Sequence, residues 1–299
     1  MTSALVVINP ISGAGRRHAG GAAEVELASG ILGRAGYETS VIVTTGPGHA
    51  TEAAGAAAAR GAGLVVSWGG DGTMNEVARA LAFGTTALAL VPAGSGNGLG
   101  RELGVPFDPV RALEIAAGGR RRRIDVGEVN GEFFFNVAGV GLDASIARAF
   151  AERSGRRGRL RYARVGVEAV LGYRAQRIEV AWDGGASSPR ALFVALANSR
   201  QYGSHGCIAP PASLDDGRLD LVIVEDQPLW RIATRLPAFF LGRLQPGTGV
   251  TMSTFTTAAI AAASGTDLHL DGEPRIIHGP LNVRVHPRAL DVIVPPARP

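Results

Sequence analysis

Three glycine-rich segments are the places in this sequence where chemistry can be done. They are Asn9-Pro10-Ile11-Ser12-Gly13-Ala14-Gly15, Gly69-Gly70-Asp71-Gly72-Thr73-Met74-Asn75-Glu76 and Pro92-Ala93-Gly94-Ser95-Gly96-Asn97-Gly98. Each follows directly on a short apolar run: Ala4–Ile8, Leu64–Ser67 and Ala87–Val91. Glycine admits positive φ and close approach of a ligand to the backbone. The helix N-terminus that follows such a loop favours anions. Gathered at the carboxyl edge of an open α/β sheet, three such loops form a phosphate-binding surface of N–H groups. Asp71 has little packing value between two glycines, but it can reach Mg2+ or a water on it. There is a plainer alternative, since strand-to-helix turns favour glycine anyway. Thr73–Glu76 also fits a capping box, with Thr73 at the N-cap and Glu76 three residues on. For one loop the plain reading wins; for three on one edge, nucleotide binding does. The dinucleotide fingerprint is absent, because Arg16-Arg17-His18 stands where its third glycine would be.

Two further groups of polar residues lie late in the chain. Asp267, His269 and Asp271 alternate with Leu268 and Leu270, which puts the polar set on one face of a strand. Gly272 permits a turn that brings Glu273 to the same side. Asp271-Gly272 also reads simply as a turn between strands. Asp215-Asp216-Gly217 has the same plain reading, between Ala212 and Leu219. His205 and Cys207 are close in sequence, yet no other spacing resembles a zinc site.

The elements that must position these residues change character along the chain. In the first third, apolar runs at Ala4–Ile8, Val41–Val43, Leu64–Ser67 and Ala87–Val91 alternate with helix-like stretches ending near Arg34, over Thr51–Arg60 and over Asn75–Leu81. Continuous apolar strands between helices predict a mostly parallel sheet covered on both faces. Asp108-Pro109 predicts a helix start. From about Arg120 strands dominate: Ile124–Val129, a turn at Asn130-Gly131, Phe133–Val137, Arg177–Trp182, Ala191–Ala197, Leu219–Val224, Asp267–Leu270 and Asn282–His286. These predict an antiparallel β-sandwich, with helices at Arg159–Arg174 and Leu229–Leu241. The expected division is an α/β domain over 1–123 and a β-sandwich over 124–286.

Composition excludes several mechanisms. All 30 basic residues among the 299 are Arg; there is no Lys. That removes P-loop NTPases, protein kinases and Schiff-base enzymes, each of which needs a Lys. With 46% hydrophobic and 19% charged residues the chain is not disordered. A net charge of +4 suits anionic ligands or anionic membrane surfaces without demanding either. One Cys excludes an intramolecular disulfide and fits a cytoplasmic location. No apolar run is long enough to be a transmembrane segment. Arg120–Arg123 and the cluster Arg153, Arg156, Arg157, Arg159, Arg161 and Arg164 are the strongest basic concentrations. A solvated surface is their default reading. The second cluster also flanks apolar residues in the manner of a membrane-surface helix. Nucleic acid is not an expected partner, because aromatic residues do not interleave with the basic runs.

Gly69–Glu76 resembles the GGDGTxNE signature of the diacylglycerol kinase catalytic-domain family, which includes bacterial lipid kinases and sphingosine kinases. Asn9–Gly13 matches that family's NPxSG opening, and Gly94–Asn97 its GSGN loop. Ala197-Asn198 to Pro210, Ser213–Asp220 and Asp271-Gly272-Glu273 resemble its later motifs, in the family's order. The resemblance implies an NAD kinase/diacylglycerol kinase-like α/β domain plus a C-terminal β-sandwich, with ATP between the two. It also implies that the tail, 287–299, returns to the first domain. Carried over, Asn9, Ser12, Gly13, Thr44 or Thr45, Gly69, Gly70, Gly72, Thr73, Asn75, Glu76, Gly94, Ser95, Gly96 and Asn97 would form the nucleotide site, with Asp71 near Mg2+. Asp271 would be the general base towards a lipid hydroxyl, and Glu273 would support the metal or the base. Ser213, Asp216 and Arg218 match positions that hold a structural Mg2+ in relatives, Arg218 only through its carbonyl. The implied activity is ATP-dependent phosphorylation of a lipid such as diacylglycerol or a sphingoid-type alcohol. The enzyme would meet its substrate peripherally at a membrane surface, and a homodimer is left open. Asn97 is followed by Gly98, closer to the sphingosine-kinase form of that loop, so the acceptor is open. A NAD kinase-like enzyme and a non-catalytic nucleotide-binding regulator are the alternatives.

Overall fold

The computed structural model describes residues 2–12, 21–152, 172–202 and 206–296. Gly13, the Arg153–Arg164 cluster, residues 159–171 of the expected helix and His205 lie outside the described residues. The chain divides into two compact units, 1–126 with 288–299, and 127–287.

The first unit alternates strands and helices. Its elements are β1 (Thr2–Ile8), α1 (Ala22–Arg34), β2 (Tyr37–Val43), α2 (His49–Ala59), β3 (Leu64–Gly69), α3 (Asp71–Leu81), β4 (Ala87–Pro92), α4 (Gly98–Glu102) and α5 (Pro109–Gly118). The strands pair in parallel in the order β4-β3-β1-β2. β3 and β4 are buried at every position, as strands covered on both faces must be. Ile8 pairs with Trp68, and Trp68 with Val91, so the three glycine-rich loops leave the sheet at one edge. α5 starts as expected: the Asp108 carboxylate accepts the Arg111 N–H at 2.9 Å and Pro109 opens the helix. The chain leaves this unit along β5 (Arg120–Val129).

The second unit is antiparallel. It continues with β6 (Glu132–Phe134), β7 (Val137–Gly141), α6 (Leu142–Glu152), β8 (Gln176–Arg177), β9 (Glu179–Trp182), β10 (Gly185–Ser187), β11 (Arg190–Ala197), β12 (Gln201–Tyr202), β13 (Gly206–Cys207) and β14 (Leu219–Glu225). Then come α7 (Leu229–Phe240), β15 (Val250–Phe255), β16 (Thr257–Ala261), β17 (Asp267–Leu270), β18 (Glu273–Ile276) and β19 (Leu281–Val294). One sheet runs β15-β14-β11-β7-β17-β18; β9, β10, β16 and the start of β19 pair in another. Between them lies an apolar core that includes Val194, Leu221 and Phe255 from the first sheet and Phe134, Val180, Ile260 and Val283 from the other. β19 then carries the chain into the first unit, where Val292 pairs in parallel with Leu88 of β4.

Candidate active-site residues and family

In the first unit the glycine loops hold one another. The Asp71 carboxylate, in the first turn of α3, accepts the backbone N–H of Asn97 at 2.7 Å and of Gly98 at 2.8 Å. Asn97, at φ +55°, closes its own loop by accepting the Gly94 N–H at 3.0 Å and donating to the Gly94 carbonyl at 2.6 Å. Gly70 and Gly94 meet backbone to backbone: a Cβ on Gly94 would lie 2.6 Å from the Gly70 Cα. A Cβ on Gly96 would lie 2.5 Å from Asp71 Oδ2, and one on Gly69 2.6 Å from Thr73 Oγ1. The glycines are therefore required by the approach of the second loop to the third. What results is a cradle of bare backbone at the N-terminus of α3, whose first N–H groups have no intrahelical partner.

Asn9, at the end of β1, ties the first loop to the second. Its Nδ2 donates to Thr73 Oγ1 at 2.9 Å and its Oδ1 accepts the Ile11 N–H at 3.1 Å. Ser12 is buried and Ser95 exposed. Gly72 is exposed in the first turn of α3. The Thr44 N–H donates to the Ile8 carbonyl at 2.8 Å, while Thr45 bonds His49 Nδ1 through its N–H at 3.1 Å. α3 begins at Asp71 with Gly70 at its N-cap, so Thr73 lies inside the helix and the capping-box alternative does not hold. Instead Glu76 caps a different helix: its Oε2 accepts the Ala50 N–H of α2 at 3.1 Å. Asn75 is fully buried, and both polar atoms of its amide are without a hydrogen bond.

In the second unit Asp271 and Gly272 are the two central residues of the β17–β18 hairpin, both at positive φ (+50° and +85°), as a type I′ turn requires. The plain reading of these two residues as a turn between strands therefore holds. The Asp271 carboxylate accepts three successive backbone N–H groups, from Phe135 at 2.8 Å, Asn136 at 2.8 Å and Val137 at 3.0 Å. Its own N–H donates to the Val137 carbonyl at 3.0 Å. Glu273 pairs across the turn with Leu270, and its carboxylate meets Arg275 Nη2 at 3.3 Å.

Behind that turn is a buried polar group that sequence reasoning missed. His269 Nδ1 accepts the Gly272 N–H at 3.2 Å, and Nε2 faces Asp143 Oδ2 at 3.3 Å. The same Asp143 oxygen accepts the Tyr202 hydroxyl at 3.0 Å. A Cβ on Gly139 would overlap this pair, lying 1.9 Å from Asp143 Oδ2. Burial, together with the Asp143 charge, pushes the Tyr202 phenol well above its usual range. Tyr173 is raised in the same way to about 12, by burial first and then by Asp143 and Asp267. Tyr202 is a donor to Asp143, whereas the buried Tyr173 hydroxyl makes no hydrogen bond among the described residues. Asp267 is held by Ser145 Oγ at 2.6 Å and Arg148 at 2.8 Å. Only the alternation of Asp267 and His269 pointed here, because Asp143 and Tyr202 are distant in sequence.

The third group is a compact turn at positive φ on Gly217. Ser213 Oγ donates to Asp215 Oδ1 at 3.1 Å, and Asp216 Oδ1 accepts the Arg218 N–H at 3.0 Å. Burial and the neighbouring Asp216 charge push Asp220 up to about 6. Among the described residues no group of three or more His, Cys, Asp or Glu side chains forms a metal cluster, so a cation here would need backbone oxygens as well.

The family follows from comparison with known proteins. Residues 3–129 match the model described as diacylglycerol kinase catalytic domain, and residues 136–294 match the YegS C-terminal NAD kinase beta sandwich-like domain. The chain belongs to the diacylglycerol kinase and YegS-like lipid kinase family. A Pseudomonas aeruginosa protein named "Probable lipid kinase YegS-like" is 34% identical over 92% of this chain and 91% of its own. A Bacillus subtilis diacylglycerol kinase is 35% identical over 64% of this chain; the match spans 65% of that protein's length. A crystal structure of a diacylglycerol kinase from Bacillus anthracis str. Sterne shares the fold, with a TM-score of 0.74 at 21% identity over 98% of this chain and 96% of that one. Among the described residues of this lipid kinase family member no helix is long and apolar enough to cross a membrane.

Proposed function

We propose that this chain is an ATP-dependent lipid kinase that transfers the γ-phosphoryl group to a hydroxyl of a membrane lipid, diacylglycerol or a sphingoid-type alcohol. The acceptor oxygen forms the new bond to phosphorus, the bond to the bridging oxygen breaks, ADP leaves, and the hydroxyl proton passes to a carboxylate and then to solvent. Such transfer needs positioning and charge neutralisation more than covalent help from the protein. Family membership supports the reaction class. The single observation that carries the residue assignment is Asp271, a carboxylate fixed in a turn by three backbone N–H groups. With its orientation set in this way, the carboxylate is the group we assign to take the hydroxyl proton as general base.

In the first unit, the backbone of Gly69–Gly72 and Gly94–Gly96 would receive the phosphates, with Asn9, Ser12, Thr45, Thr73, Asn75 and Ser95 around the nucleotide. The fit rests on the glycines that let the second and third loops pack backbone to backbone at the N-terminus of α3, and on the unsatisfied amide of buried Asn75. Mg2+, when bound, would neutralise phosphate charge, and Asp71 is the carboxylate that would hold it. A second, structural Mg2+ would be held by Ser213, Asp216 and the Arg218 carbonyl, in the turn closed by the Asp216–Arg218 hydrogen bond.

The test is radiolabelled ATP with a panel of diacylglycerol, sphingoid bases and NAD. Label in the organic phase supports the proposal, and label in NADP selects the NAD kinase-like alternative. ATP binding with no transfer selects the regulatory one. Asp271→Asn is expected to abolish transfer while ATP affinity changes little; retained turnover removes Asp271 as the base.

A further inference from the structure

The helix α7 is built with its apolar side outward. Trp230, Leu236, Phe240 and Leu241 are 63%, 48%, 59% and 67% exposed, four of the nine exposed large hydrophobic residues among the described residues. At ~100° per residue, Trp230, Ala233, Leu236, Pro237, Phe240 and Leu241 fall within an arc of about 140°. The opposite side is already anchored. Phe239 packs edge-on against Tyr202, ring centroids 6.1 Å apart, and a Cβ on Gly206 would lie 2.1 Å from the Phe239 ring. The outward face is thus not needed to hold the helix in place.

Its rim is basic. Arg231 reaches back to stack its guanidinium on the Trp230 ring at 5.1 Å, and Arg243 follows the helix; Arg235, on the anchored side, donates to the Thr248 carbonyl at 2.7 Å. From Gln227 to Thr266 there is no Asp or Glu. An apolar, Trp-bearing face with a purely cationic rim is the composition of a helix that lies in a bilayer interface. A self-interface with two-fold symmetry would instead bring the same Arg residues of two copies together. The charge pattern favours an anionic lipid surface.

We infer that the outer face of α7, Trp230, Leu236, Phe240 and Leu241 with Arg231 and Arg243, docks the protein on anionic bilayers. The inference rests on the lipid-kinase reading only for its purpose, since a kinase acting on a bilayer hydroxyl has to work at that surface. Docking itself needs neither ATP nor turnover.

The experiment is co-sedimentation of the full chain, without ATP, with vesicles of phosphatidylcholine alone or mixed with phosphatidylglycerol. Emission is followed in parallel, with brominated lipid as quencher; Trp68 is buried and Trp182 half-buried, so the Trp230 signal is the part of the quenching that Trp230→Gln removes. Wild type is expected to bind the anionic vesicles, with Trp230 quenched. The variant W230Q/F240Q/L241Q, which changes exposed positions only, should keep its thermal midpoint and bind at least about tenfold more weakly, the ratio of ~1.4 kcal/mol. Arg231→Gln and Arg243→Gln should each weaken binding to the anionic vesicles by roughly fivefold, in a salt-dependent way, and leave phosphatidylcholine unaffected. Trp230→Gln alone is the fallback if the triple variant misfolds, and it too should weaken binding. Failure of wild type to bind, or unchanged binding by the apolar variants, overturns the inference. So does a variant that turns a dimer into a monomer without changing vesicle binding, which would make the face a self-interface. Docking upheld with no lipid phosphorylated would sink the proposed function and leave this inference standing.

Discussion

Asp71 Oδ2 accepts the backbone N–H of Asn97 at 2.7 Å, so a carboxylate from the second glycine loop fixes the start of the third. Its other oxygen takes the Gly98 N–H at 2.8 Å. Asp71→Asn leaves one oxygen where two acceptors are required and turns an NH2 group towards a backbone N–H. Loss of a charge-assisted hydrogen bond costs roughly 1.5–3 kcal/mol. Thermal unfolding should show that destabilisation in nucleotide-free protein, and equilibrium titration should show weakened ATP binding. Unchanged stability would mean that the third loop does not depend on Asp71.

Gly94 makes a sharper test of the same cradle. Its missing Cβ would lie 2.6 Å from the Gly70 Cα, a backbone atom that no side-chain rotation can move. Gly94→Ala must therefore push the two loops apart, at a cost of about 1–3 kcal/mol, and weaken ATP binding further than its stability loss explains. Gly33→Ala is the control. That site in α1 has nothing within 4 Å of a new Cβ, and the change should stabilise by roughly 0.4–1 kcal/mol. Equal effects of the two substitutions on nucleotide affinity would contradict the cradle.

How much was legible in the sequence depended on how local the cause was. β1, β3 and β4 read directly because strands buried on both faces are unbroken apolar runs, and the loops that follow carry their own glycine signature. α4, α6, β10, β12, β13, β15, β16 and β18 are elements that the sequence reading does not contain. β16 buries only Ala258 and Ile260 in an Ala/Thr-rich stretch whose alternation is too weak to see. The role of Glu76 was hidden for another reason: its partner is Ala50 on a different helix, and no spacing within 73–76 announces that. The helix start at Asp71 rather than near Thr73 follows from Gly70, which as N-cap has no side chain to signal itself. Asp271 was visible as a residue type, but its three N–H donors come from a segment more than a hundred residues earlier.

Glu128 gives a pH dependence with a definite sign. Burial alone would raise its carboxyl, but hydrogen bonds and charge from Arg284 and His286 bring it below the usual 4.5. Arg284 meets it at 2.9 Å and His286 at 2.5 Å. A depressed carboxylate stabilises the fold fully above the unfolded value, and that contribution is lost as pH falls through the folded one. Wild type should lose stability on acidification from below pH 4.5 more steeply than Glu128→Gln. Arg284 is well exposed, so the pair is worth only about 0.2–1 kcal/mol. Parallel acid melts of the two proteins decide this; coincident profiles would leave Glu128 without a role.

His269 supports the Asp271 turn from behind, and the support can be separated from mere packing. Nδ1 accepts the Gly272 N–H, so the ring proton sits on Nε2 and points at Asp143. Asp143 in turn is fixed by the Ala144 N–H at 2.8 Å and the Tyr202 hydroxyl. His269 is thus a positioning residue, and what the turn needs from it is one acceptor at the Nδ1 position. An Asn side chain can place its Oδ1 there; a Leu cannot. His269→Leu removes the Gly272 N–H's acceptor in the protein, a cost of roughly 0.5–1.5 kcal/mol at this exposed turn, and should lower kcat by about tenfold or more with KM for ATP unchanged. His269→Asn should restore most of that loss. The split between kcat and KM, together with the rescue by Asn, is a readout that packing alone would not move. Full activity in His269→Leu, or no rescue by His269→Asn, would show that the turn holds Asp271 without help from the ring.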